Sequence, residues 1–377
     1  MKKRILSLTL ALTALSMIFA CSDSNETIEP TTPPTAPNES LEPSTPVAKR
    51  GAYVLCNGYY NENNSAISYI DLNNGTVTLD MYSASNGERL GDSGQDFIIY
   101  GSKTYCTVSG SSKMVIMDKN CRVLRPFPIL DNNGNPATPR HMVAHNGKVY
   151  ITAYDGTVSR LDTTTMAIES KLRLGSIPEA ITVANDKLYI NMSGYGEGNI
   201  VAVVDIATFT LKDEIQVALN PYTTCFTGQD GYVYTICNGN YAGSPYISEE
   251  QWVYSTLQRI DPATEQVTSV CPATFASYYN NDMYIIYSEY YLPETLKCVK
   301  YNLENQTETS LIDIDQFKDD DGNICPNSIT VDPVTGDIYV CCTPYGQNGV
   351  VKVFDNSGAY KTEYTVGYCP SKIIFTE

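Results

Sequence analysis

Two markers recur seven times, in register, along this chain. An apolar stretch carries a tyrosine followed by small or β-branched residues, at Tyr53, Tyr105, Tyr150, Tyr189, Tyr234, Tyr284 and Tyr339. After each comes a second apolar stretch ending in an acid or amide: Ile70-Asp71, Met117-Asp118, Leu161-Asp162, Val204-Asp205, Ile260-Asp261, Tyr301-Asn302 and Phe354-Asp355. Successive tyrosines lie roughly 40 to 55 residues apart, which suits one four-stranded propeller blade. Chance would not hold both markers together through every copy, so the chain is expected to be all-β, a seven-bladed β-propeller.

A third marker, a proline opening a short apolar strand, precedes the tyrosine strand in several copies: Pro139, Pro178, Pro221 and Pro326. The last copy, Pro370-Ser371-Lys372-Ile373, has no tyrosine strand after it, and the first tyrosine strand has no such strand before it. The two ends therefore complete one blade together, closing the ring and removing exposed sheet edges. With strands named a, b, c and d, the a–b and c–d turns share one face of the disc and look short, as at Asn146-Gly147, Asp230-Gly231 and Asn73-Asn74-Gly75. Length variation collects on the other face, up to the b–c insertion from Asn238 to Thr256. Variable loops gathered on one face of a repeat protein mark a binding surface.

Those loops carry Tyr59, Tyr60, Tyr154, Tyr195, Tyr241, Trp252, Tyr290 and Tyr345, interleaved with Gly, Asn and Ser. Tyrosine supplies flat area and a hydroxyl at little entropic cost, which suits a large amphipathic small molecule or a sugar. The starts of the a strands add Arg140, Glu179, Tyr222 and Asn327, with Gln95, Asp96 and Ser371, around the central channel. Such a ring can orient a polar ligand, and it is equally what a water-filled channel mouth needs without any function.

The 42 acidic against 25 basic residues, a formal net charge of −17, exclude a general phosphate-binding surface, and with it nucleic acid as a partner. At the N-terminus, Lys2-Lys3-Arg4, an apolar run to Phe19 and a small residue before Cys21 have the pattern of a bacterial lipoprotein signal over residues 1–20. Cys21 is the expected lipidation site, and the Pro/Thr/Ser/Glu-rich stretch 21–50 is the expected tether to a propeller domain spanning 51–377. Asp23, Glu26 and Glu29 resemble export tags of Gram-negative surface lipoproteins, implying a lipid anchor in the outer membrane with exposure at the cell surface.

Catalytic groups are thin. His141 and His145 fall on a strand and its turn, so the helical zinc motif does not apply and no metal site is expected. The run Asp319-Asp320-Asp321-Gly322-Asn323 and its parallel Asp131-Asn132-Asn133-Gly134-Asn135 read as turns rather than calcium loops. No phosphate loop or nucleophile elbow is present, no cofactor is implied, and the chain is not expected to be an enzyme. Eleven cysteines besides Cys21 lack CxxC spacing and read as packed core thiols, with Cys271, Cys325 and Cys369 placed before prolines at blade crossings, near the channel.

The opening Tyr53-Val54-Leu55-Cys56-Asn57-Gly58-Tyr59-Tyr60, then Asn63-Asn64-Ser65-Ala66, Asn86-Gly87, Leu90-Gly91-Asp92 and Asn238-Gly239-Asn240-Tyr241, resemble the YncE-like seven-bladed propeller lipoproteins of gut anaerobes, from about Gly51 to the C-terminus. That group includes the BtuG-type surface lipoproteins. The resemblance implies non-covalent capture of a corrinoid such as vitamin B12 and hand-over to a TonB-dependent outer-membrane transporter. Two alternatives stay open: a channel-mouth lactonase- or lyase-like enzyme with Glu179, Asn327 and Asp96 as cation ligands, and a propeller that binds glycan or protein.

Overall fold

A computed structural model describes residues 50–376 except 176, 319–321, 323 and 324. The expected signal over 1–20, the expected lipidation site Cys21, the expected tether up to residue 49 and most of the Asp319–Asn323 run lie outside the described residues. Seven antiparallel sheets of four strands each follow one another as blades. Strand b of each blade is the tyrosine strand, from Gly51–Cys56 in blade 1 to Ile338–Cys342 in blade 7. The C-terminal strand Pro370–Thr376 pairs with Gly51–Cys56, matching Gly51 to Thr376 and Tyr53 to Ile374, so it is strand a of blade 1 and the ring closes as expected.

Both repeat markers have a physical cause. The strand tyrosines are buried, with Tyr53, Tyr105, Tyr189 and Tyr234 fully enclosed, and they pack in the cores of the sheets and between neighbouring blades. The acid or amide ending strand c turns the chain into strand d by accepting backbone N–H groups. Asp71 accepts from Asn73 at 2.8 Å, Asp118 from Asn120 at 2.8 Å and Asp162 from Thr165 at 2.7 Å. Asp205, Asp261, Asn302 and Asp355 do the same for Thr208, Ala263, Asn305 and Ser357. A short side-chain acceptor two or three residues upstream is what stabilises such turns.

Blade 1 departs from the pattern on its outside. Its strand d is only Val77–Thr78, and a short helix, Met81–Asn86, takes over. Asp80 caps the helix by accepting from Ser83 N at 2.9 Å, and Gly87 ends it in the left-handed region at φ 71°. Its Met81 and Tyr82 are buried against Tyr53 and Phe97, so the helix seals the junction to blade 2. Arg50, directly before the first strand of the propeller, is ion-paired with buried Asp332 of blade 7.

No disulfide joins any of the eleven cysteines from Cys56 onward among the described residues, and burial pushes several thiols up to about 12, including Cys56, Cys237 and Cys298. The expectation that Cys271 and Cys325 lie near the channel is corrected. Cys271 packs in the core between blades 5 and 6, and Cys325 against the core around Phe317 and Cys342, because each belongs to the hydrophobic filling between sheets. Cys369 sits beside Tyr59. Among the described residues, no helix is long and apolar enough to cross a membrane.

Candidate functional site

The a strands line the channel, and their first residues break the ladder. In blade 3, Pro139 pairs with Ala153 but the next partner of the b strand is Met142, so Arg140 and His141 are both squeezed out of register. A one-residue shift likewise follows Pro178, Pro326, Gly94 and Pro370, and a two-residue shift follows Pro221; the a strand of blade 6, Phe275–Tyr279, is regular. Such bulges re-aim side chains, and here they turn consecutive polar residues towards the channel mouth. Hydroxyl and amide groups of the b strands then clamp the next blade's bulge. Thr107 donates to the Arg140 carbonyl at 2.6 Å, Thr152 to that of Glu179 at 2.7 Å, and Asn191 to that of Tyr222 at 2.8 Å.

Five of the sequence-predicted residues, Gln95, Arg140, Tyr154, Glu179 and Tyr222, meet on blades 2 to 5. Arg140 Nε donates to Glu179 Oε2 at 2.9 Å and its Nη1 to Gln95 Oε1 at 2.6 Å. The Tyr154 hydroxyl donates to Glu179 Oε1, and the Arg140 guanidinium lies 4.4 Å from the centre of the Tyr154 ring. Tyr222 flanks the same pair. Burial works against the charge of Arg140, but Glu179, Tyr154 and Tyr222 more than offset it and keep the guanidinium charged. Glu179 is fully buried, so the pair is an internally neutralised floor rather than a free charge. Burial raises the hydroxyl pKa of both Tyr154 and Tyr222, which stay protonated donors.

Above this floor stand aromatic rings. Tyr154 meets Tyr195 edge-on, centroids 5.5 Å apart. Tyr195 is 67% exposed, and it and Tyr241, in successive b–c loops, are both held in the left-handed region at φ 59° and 58°. That backbone costs a bulky residue of order 1–3 kcal/mol and persists where its surroundings impose it, often at binding sites. Across the mouth, Tyr59 packs against Tyr368 at 5.6 Å and Tyr345 at 6.2 Å, and its hydroxyl accepts from Gly346 N at 2.9 Å. Tyr60 and Tyr345 are exposed beside it, Tyr290 meets Tyr291 edge-on at 4.7 Å on blade 6, and blade 2 adds no ring. Of the nine exposed tyrosines among the described residues, eight lie in these b–c loops; the ninth, Tyr360, is on an outer strand.

Other predicted residues are placed differently. Asn327 is apart from the Arg140 cluster and donates to the Pro370 carbonyl at 3.0 Å, a clamp between blades 7 and 1. Trp252 is half-buried, its indole N–H donating to the Ile247 carbonyl at 3.1 Å, and it braces its own loop. Asp96 is buried, accepting from Met142 N at 2.7 Å, Phe97 N at 2.9 Å and the Lys372 ammonium. Among the described residues no three acidic, His or Cys groups converge to hold a metal ion.

Two channel residues were missed as site residues, His141 and Lys372. His141 lies within 3.4 Å of Gln95 Nε2 and 3.8 Å of Glu179 Oε2, and burial pushes its imidazole down to about 4, against the opposing pull of Asp96 and Glu179. Their signal was the offset from proline: each stands two residues after one, beside a predicted member of the ring.

The family described as Domain of unknown function (DUF5074) matches residues 50–376. No curated protein matches the chain in sequence. Among solved structures, a protein of Bacteroides fragilis NCTC 9343 assigned by name as a 6-phosphogluconolactonase is similar at 13% identity and a TM-score of 0.59, over 89% of this chain and all of that one. A streptogramin B lyase is similar at 13% identity and TM-score 0.52, covering 72% of this chain and 83% of its own. The computationally designed protein Ika8 is similar at 13% identity and TM-score 0.51, covering 84% and 89%. At these identities the likeness is one of fold.

Proposed function

We propose that this chain, which belongs to the DUF5074 family, captures a broad amphipathic small molecule on its tyrosine-bearing face and does no chemistry on it. The observation that carries the reading is the sorting of exposed rings: eight of nine exposed tyrosines stand on one face, around a mouth whose charges are already paired. Rings with hydroxyl edges over a neutral floor favour a wide ligand with an apolar body and a polar fringe. A corrinoid such as vitamin B12 has that form, and the resemblance to BtuG-type lipoproteins supports it. In this reading Tyr154, Tyr195, Tyr222 and Tyr241 grip one side of the ligand, and Tyr59, Tyr60 and Tyr345 the other, with Tyr290 at the rim. Arg140 and Glu179 form the floor. The chain is a lipoprotein anchored through Cys21 in the outer membrane, facing outward, and it passes its cargo to a TonB-dependent outer-membrane transporter.

The likeness to a lyase and a lactonase-named propeller keeps catalysis as the rival. That reading needs Asp96, Glu179 and Asn327 as cation ligands, and each already serves another partner: Lys372, Arg140 and the Pro370 carbonyl. Titration with cyanocobalamin, followed by corrin absorbance and heat, is the test. Saturable binding that drops at least tenfold in Tyr195→Ala and Tyr241→Ala supports the proposal. No heat and no spectral change would remove the corrinoid and move the search to glycans.

A further inference from the structure

Beside the channel mouth, the b–c loops of blades 5 and 6 join into one pad. Gly243, at φ 86°, lets them close: a Cβ there would come within 2.7 Å of Leu292 Cδ2 and 3.0 Å of Tyr291 Cβ. Ser255 N donates to buried Glu289 at 2.6 Å, tying the second loop to the end of the first. The pad exposes Tyr246, at 90%, with Val253, Tyr254, Tyr290 and Tyr291, while Trp252 stands edge-on to Tyr254 at 6.4 Å. Glu249 and Glu250 are exposed on the first of these loops, and Glu294 on the strand that leaves the second. Neither 213–258 nor 260–296 contains a single Lys or Arg. The nearest base beyond the second loop, Lys297, is paired with Glu308 at 2.7 Å.

Exposed aromatic side chains at this density are the composition of an interface centre rather than of ordinary surface. With Tyr246 almost fully exposed and Tyr254, Tyr290 and Tyr291 exposed by 36–46%, the four rings offer about 300–550 Å2 at about 150–250 Å2 per fully covered ring, a large share of the roughly 800 Å2 per partner of a standard interface. The charge specifies the partner's chemistry. Carboxylates interleaved with tyrosine faces, with no Lys or Arg in either loop, suit a guanidinium, which stacks on rings and forks onto carboxylates. An ammonium is more strongly hydrated and cannot make the planar contact. We propose that this pad docks an arginine-bearing surface of a partner protein. The pad touches the rim of the Arg140–Glu179 mouth only at Tyr290, and Tyr246, Tyr254 and the glutamates lie outside that mouth, so the inference stands whether or not a corrinoid binds there.

Trp252 is the sole tryptophan of the chain, so its emission reads the pad directly. The full chain is titrated at physiological salt with a tryptophan-free arginine-rich peptide, and with the same peptide carrying lysine at every arginine. The expected result is a saturable change in Trp252 emission, with the arginine peptide on the order of tenfold tighter, a difference of about 1.4 kcal/mol. Glu249→Gln with Glu250→Gln, and separately Tyr254→Ala, should each weaken the arginine peptide several-fold. These side chains are exposed, and an unchanged urea midpoint in the same variants shows that the fold is intact. No saturable change, equal affinity for the two peptides, or indifference to both sets of substitutions overturns the proposal, the last two showing only general attraction to an acidic chain.

Discussion

On the face of the a–b and c–d turns, polar side chains are turned back on their own backbone. Asp71, Asp118, Asp162, Asp205, Asp261, Asn302 and Asp355 each hold a turn, and the cavity of about 550 Å3 on this side is lined by His145, Thr182, Asp186 and Thr227, with no tyrosine. On the face of the b–c loops, the polar groups near the axis pair with one another, and the rings above them face solvent. One face holds the strands in place; the other offers uncommitted surface. The same strands serve both ends, and the difference lies in which side chains already have partners.

The sharpest way to break that contrast is to remove a partner from the floor of the mouth. Glu179→Gln leaves a buried guanidinium uncompensated and should cost about 3–5 kcal/mol, read as a fall in the urea midpoint. Replacing both residues with apolar ones of similar size, Arg140→Met with Glu179→Leu, should recover most of the loss. A double variant as unstable as the single one would mean the pair does more than neutralise itself.

Acid titration probes the same floor. His141 has its folded pKa held near 4 by burial, below the ordinary 6.5, so the unfolded chain takes up its proton first. Its contribution is therefore fully present above about pH 6.5 and is lost as pH falls from there towards 4. A stability profile against pH should slope down through that window in the parent, and His141→Gln should flatten it. An unchanged slope in the variant would place the titrating group elsewhere.

The smallest effects separate the faces most cleanly. Asp118→Ala removes acceptors for Asn120 N at 2.8 Å and Arg122 N at 2.9 Å, and should cost about 1 kcal/mol while leaving ligand affinity untouched. Tyr195→Ala, at an exposed ring, should change stability by less than about 0.5 kcal/mol and yet weaken the ligand. The two readouts exchanged between these variants would erase the distinction.

Much of this was legible before any coordinates. Buried tyrosine and turn-forming aspartate recur because every blade must fill the same gap and make the same turn, so a structural necessity shared by all copies shows as a period. Ring closure was legible for the same reason, as a strand missing at one end and spare at the other. The pairing of Arg140 with Glu179, and the presence of His141 in the channel, were not. They depend on a bulge after the first residue of strand a, which shifts the alternation by one and has no mark but the proline. Nor could a loop's sequence separate Trp252, which braces its loop, from Tyr195, which stands free.

The closing strand also sets an order in time. Gly51 and Thr376 are 325 residues apart, and joining such distant points costs about 5 kcal/mol of chain entropy before any contact repays it. Blades 2 to 7 are each contiguous in the chain and can form as it emerges, whereas blade 1 waits for Pro370–Thr376. Until then Gly51–Cys56, buried along its whole length in the finished ring, has an open edge, an invitation to pair with another chain. The first propeller strand made is the last to be protected, and the interval between those events is when the propeller is most exposed to aggregation.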